Sequence, residues 1–87
     1  MKELDSTKYG LNKRIELCEV EPGKLGIVKI RKSRIIRKDA EQILDLVEKI
    51  RQSEPQSKIA LICTKNICSK SIRLLDENDI EIIYTEG

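Results

Sequence analysis

RIELCEVEPGKLGIVKIRK, residues 14–32, holds two β-branched, roughly alternating runs, 14–21 and 24–32, on either side of a Pro22-Gly23 pair. Alternation marks strands with one face inward, and a Pro-Gly pair between two such runs is the punctuation of a tight hairpin. With Pro22 and Gly23 as the loop, Glu21 faces Lys24, and the ladder continues as Val20 with Leu25, Cys18 with Ile27 and Glu16 with Lys29. Cross-strand partners share a face, so this register makes Glu16 and Lys29 a direct ion pair.

Downstream of the hairpin the period changes. DAEQILDLVEKIRQ places Ala40, Ile43, Leu44, Val47 and Ile50 on one stripe at helical spacing, with Asp39 as its expected cap and Gln42 as the capping-box partner. Ser53, Glu54 and Pro55 end that helix. KIALICT, residues 58–64, is a continuous apolar run, as expected of a strand covered on both faces. A second helix begins at Asn66 or Ser69 and turns Cys68, Ile72 and Leu75 inward; IEIIY, residues 80–84, reads as the last strand. Upstream, residues 1–12 lack a period and are expected to be a flexible arm or a short helix. The order is therefore ββαβαβ: an α/β fold, one domain over residues 1–87, with a mixed sheet, flanking helices and later strands made parallel by right-handed crossovers.

Composition limits the function classes. A chain that is 39% hydrophobic and 37% charged is too apolar for disorder and too charged for a membrane protein. No run reaches the length of a membrane span and residues 1–10 lack the apolar centre of a signal peptide, so a cytoplasmic location is expected. Cys18, Cys63 and Cys68 have no CxxC spacing and no histidine to complete a zinc site; they read as buried thiols. Richness in Lys, Glu and Ile, with two Tyr as the only aromatics, suits a heat-adapted source.

Net charge is only +2, but Lys29, Arg31, Lys32, Arg34, Arg37 and Lys38 fall within ten positions that contain no acid, so the rest of the chain is net acidic. So local a concentration suits a phosphate-binding stripe, while a solvated face is the commoner meaning of a charge run. Strand alternation sends Lys29 and Arg31 to one face and Lys32 to the other, with Arg34, Arg37 and Lys38 in the connection to the helix. Ile35 and Ile36, which interrupt the run, are candidates to anchor that connection to the core.

KRIELCEVEPGKLGIVKIRKSRIIRKDAEQILDLVEKI, followed by ALICTKNICSKSIRLLDENDIEIIY, resembles the minimal core of restriction-endonuclease-like PD-(D/E)xK nucleases. The likeness is to the RecB-like catalytic domain of archaeal endonucleases acting on branched or single-stranded DNA. It spans residues 13–84 and rests on the order and spacing of elements. The resemblance puts the family's metal-binding acid on Glu16, its E-x-K positions on Lys29 and Arg31, and its helix glutamine on Gln42. A lysine at the second acid position cannot coordinate magnesium, so the resemblance implies a degenerate site in which the Lys29 ammonium takes the place of the metal. A nuclease with displaced carboxylates would instead recruit Glu41, with Glu16 and Glu19, and would need Mg or Mn. Against that, Glu41 is also well placed as a first-turn acid, and Glu19 and Glu21 as solvated strand residues. The expected function is binding of nucleic acid, DNA in particular, through phosphates, with no cofactor and no cleavage. The alternatives are the displaced-site nuclease and a homodimeric protein-interaction scaffold.

Overall fold

In the computed structural model, which describes residues 2–86, five strands form one sheet: β1 (Lys2–Leu4), β2 (Glu16–Glu21), β3 (Lys24–Val28), β4 (Lys58–Cys63) and β5 (Ile80–Tyr84). They lie side by side in chain order. β1, β2 and β3 are antiparallel neighbours, and β3, β4 and β5 are parallel ones. The parallel pairs are joined by α1 (Arg37–Ser53) and α2 (Ser69–Glu77). Two crossovers of the same hand stepping the same way along a sheet put both helices on one face, and α1 indeed packs on α2. Met1 and Gly87, the ends of the expected domain and Met1 of the expected arm, lie outside the described residues.

Of the two expectations for residues 1–12, the short helix is present over Ser6–Tyr9, while the flexible arm is corrected by a strand. Residues 2–4 add an edge strand to β2, and Ser6–Tyr9 forms a single 3₁₀ turn that Asp5 caps by accepting from the Thr7 N–H at 3.0 Å. Gly10, at φ 73°, ends the turn, and Leu11 enters the core at 5% exposure. Three residues are too few to display a period, which is why this strand is silent in the sequence.

The hairpin register is a second correction. Glu21 does face Lys24, but a bulge between Glu19 and Glu21 moves the rest of the ladder by one residue, so Glu19 meets Leu25, Leu17 meets Ile27 and Glu16 meets Val28. The slip has a packing cause. It places Leu17 beside Ile27, both buried under the helices, and Cys18 beside Gly26 on the other face. In the unbulged register Cys18 would have held the position now filled by Leu17.

α1 turns Ala40, Ile43, Val47 and Ile50 onto the sheet, each at most 1% exposed. Burying each of the three larger side chains contributes about 2 kcal/mol. Its cap differs from expectation. The helix starts three residues earlier, Ile36 is the N-cap, and Asp39 reaches back from the third position to accept the Ile36 N–H at 3.0 Å. Gln42 takes no part in the cap and is exposed. α2 is shorter, with Ser71 and Leu75 buried and Cys68 as its N-cap.

Among the described residues the other face of the sheet carries no helix, contrary to the expected double cover of β4. Ala60 and Ile62 are nevertheless buried, at 0% and 2% exposure. Gly26 makes this burial possible, because the missing Cβ leaves room for its neighbours to fold over the sheet. A Cβ there would lie 2.7 Å from Ile62 Cδ1, 3.0 Å from Val20 Cγ2 and 3.1 Å from Cys18 Sγ. Among the described residues no helix is long and apolar enough to cross a membrane.

Candidate nucleic-acid interface

Parallel strands deliver their C-terminal ends, and the N-termini of the following helices, to one edge of a sheet. Here that edge carries the basic run. After β3 the chain continues alongside β4, with the Lys29 N–H donating to the Ile62 carbonyl at 2.8 Å, before looping out and returning at Ile35. Ile35, 2% exposed, makes a parallel bridge to Ile67; its N–H donates to the Asn66 carbonyl and its carbonyl accepts from the Cys68 N–H, both at 2.9 Å. Asn66 Nδ2 closes the arrangement by donating to the Lys32 carbonyl at 2.8 Å. The loop after β3 is thereby laced to the loop after β4. Ile35 is the expected anchor, whereas Ile36 is 49% exposed and is not.

The lacing sorts the cations. Lys32, Arg34, Arg37 and Lys38 are exposed and Lys29 is half-buried. Arg37 lies 3.9 Å from Glu41 across one helical turn, an exposed contact of little strength. Arg31 is committed to the fold. Its Nη2 donates to the Asp39 carboxylate and to the Arg34 carbonyl, and its buried Nε–H finds no partner among the described residues. The Ile36 N–H first, and the Arg31 guanidinium after it, hold the Asp39 carboxyl below its ordinary range.

The fold also gathers cations that lie outside the basic run. Lys65 stands in the laced loop and Lys70 in the first turn of α2, both exposed; Arg14 borders a groove at the same edge with Lys29. None of these belongs to a charge cluster in the sequence. A parallel βαβαβ reading would have brought Lys65 and Lys70 beside the run, since it places consecutive loops at the same end. Two helix N-termini add their partial positive charge there.

The proposed ion pair is not formed. Glu16 shares the helix-free face with Val28, whereas Lys29 turns to the helix side, where its charge acts on Asp39. The two residues meet only at the rim of the sheet, around a groove of about 270 Å³ also bordered by Ile15 and Leu46. Glu19, three residues from Glu16 along the strand, turns to the helix side, where its charge acts on Tyr9. Glu41 is exposed on α1, and Gln42 beside it makes no hydrogen bond to any of these residues. Glu16 and Glu19 thus stand on opposite faces of the sheet, Glu41 is exposed on α1, and among the described residues no three metal-ligating side chains converge.

Cys68 departs from the expectation of three buried thiols. It is half-buried at the head of α2, with the Ser71 hydroxyl 3.0 Å and the Ser71 N–H 3.4 Å from its sulfur. Those two contacts, assisted by the Arg34 charge, lower its pKa, whereas burial raises those of Cys18 and Cys63. Comparison of the chain with protein-family models, with curated proteins and with solved structures finds no match.

Proposed function

We propose that this chain binds DNA along the basic edge, gripping phosphates without cutting them, in a degenerate relative of the restriction-endonuclease-like nucleases. The observation that carries the reading is the placement of Lys32, Arg34, Lys38, Lys65 and Lys70 at one edge of the sheet, on two loops that hydrogen bonds hold in a fixed relation and on the first turns of the helices that follow them. Fixed cations of this kind act on the charge of the backbone, and nothing among them is shaped to read base edges. What supports the family reading is the succession of hairpin, helix, strand, helix and strand. What supports binding without cleavage is that Lys29 and Arg31 stand where the resemblance expects E-x-K, and that the remaining acids are dispersed.

The test is titration of labelled single-stranded, double-stranded and branched DNA at several salt concentrations, followed by incubation with Mg²⁺ or Mn²⁺. Each neutralised phosphate contributes about 0.9 to the slope of log K against log salt on duplex DNA, so engagement of these five exposed cations gives a slope of about −4 to −5. Replacing Arg34, Lys65 and Lys70 together by alanine should flatten that slope by about 2 to 3. Metal-dependent scission lost in Glu16→Ala would establish the nuclease instead. No binding at low salt would refute both.

A further inference from the structure

We propose that the open edge of β5 is a self-association site, where a second copy of this chain adds its own β5 antiparallel and the two sheets become one. This inference does not depend on the DNA-binding reading. β5 pairs with β4 on one side, and among the described residues no strand covers the other. The two edges of the sheet are treated differently. β1 is three residues long and presents Lys2 and Glu3, the short, charged form in which edges are usually protected. β5 is five residues of IEIIY without proline or bulge, and its single charge, Glu81, is engaged by Lys24.

Backbone direction makes the edge self-complementary. The Thr85 N–H donates to the Cys63 carbonyl at 2.8 Å, so by alternation Glu81 and Ile83 also address β4, while the N–H and C=O groups of Ile80, Ile82 and Tyr84 point outward. A two-fold axis at Ile82 pairs Ile82 with Ile82 of the second copy and Ile80 with its Tyr84, and every outward group then has a partner. Moving the axis to Glu81 would oppose two carboxylates and shorten the overlap, which selects the Ile82 register.

Side chains agree with this choice. Beside the edge lies a groove lined by Ile72, Arg73, Asp76, Ile80, Ile82 and Tyr84. Tyr84 is 46% exposed there and would be covered by the strand of the second copy, next to its buried Ile80. α2 presents Arg73 and Asp76 on the same flank, three residues apart and opposite in sign. The two-fold turns the two α2 helices antiparallel, so each copy presents a flank carrying both signs of charge to the same flank of the other.

The experiment is sedimentation of the full chain from low to high micromolar concentration, with Ile82→Lys and Ile82→Glu as variants checked for folding by circular dichroism. A dimer is expected for the native sequence, monomers for either variant alone, and a restored dimer when the two are mixed. In parallel, amide hydrogen exchange of the native chain should show Ile80, Ile82 and Tyr84 becoming protected as concentration rises, a readout that needs no variant. A native chain that stays monomeric, a dimer that survives Ile82→Lys, or outward amides that remain unprotected in the dimer would each overturn the proposal.

Discussion

Replacing Asp39 by alanine removes two partners from one carboxylate. The Ile36 N–H at the head of α1 loses its acceptor, a cap whose loss costs about 1 kcal/mol. The Arg31 guanidinium loses its countercharge while its Nε–H already lacks a partner among the described residues; as the side chain is 35% exposed, solvent screening limits this to about 0.5–1 kcal/mol. Together the loss is about 1.5–2 kcal/mol, which for a domain of this size lowers Tm by about 6–16 °C. The same substitution deletes an acid from the basic edge, so DNA affinity should rise while stability falls. Thermal and urea unfolding followed by circular dichroism measure the first, and fluorescence anisotropy the second. A double-mutant cycle with Arg31→Ala isolates the pair and should give a coupling of about 0.5–1 kcal/mol. The sign with pH follows from the depressed carboxyl: its contribution is complete above the ordinary aspartate pKa of 3.8 and is lost as pH falls through the lower folded-state value. Asp39→Asn should flatten that part of the acid limb. A Tm lowered by less than about 2 °C, or affinity that falls in step with stability, would refute the reasoning.

Gly26→Val should destabilise by about 2–3 kcal/mol in urea, because the Ile62 tip can rotate away while the stiff Val20 methyl at 3.0 Å cannot; a neutral variant would mean that the bare face is loosely packed. Native alkylation at neutral pH should label Cys68 well before Cys18 or Cys63, and Ser71→Ala should slow it by raising the thiol pKa; equal labelling of all three in the folded chain would contradict the burial described. Asn66→Ala changes no charge but frees the Lys32 carbonyl, so DNA affinity should drop severalfold with the salt slope preserved; a slope flattened by about 1 would show that Lys32 needs this tie to reach its phosphate at all, and unchanged affinity would refute the role of the tie.

The long, strongly periodic elements were legible in advance. α1 followed from the stripe Ala40, Ile43, Val47 and Ile50, and β5 from IEIIY, because helical and strand periods are written over enough residues to be distinguished. The candidate site was legible only as a run of cations. Its companions Lys65 and Lys70 are brought in by parallel topology, and Arg31 is withdrawn from it by an acid eight residues away that looked like a simple cap. The Glu16–Lys29 pairing failed at one residue. Turn chemistry fixes Glu21 against Lys24, but whether a bulge follows depends on the competition between Leu17 and Cys18 for the helix-covered face, which is decided by packing with residues far along the chain.

The buckle formed by Ile35, Asn66 and Ile67 has a thermodynamic corollary. A loop that is already ordered before it meets its ligand surrenders little freedom on contact, so calorimetry of the DNA complex should record a small change in heat capacity, set by counterions and water instead of by folding of the chain. Severing the buckle should convert the same encounter into one with a larger heat-capacity change and a slower approach, as the two strands of loop must first find each other.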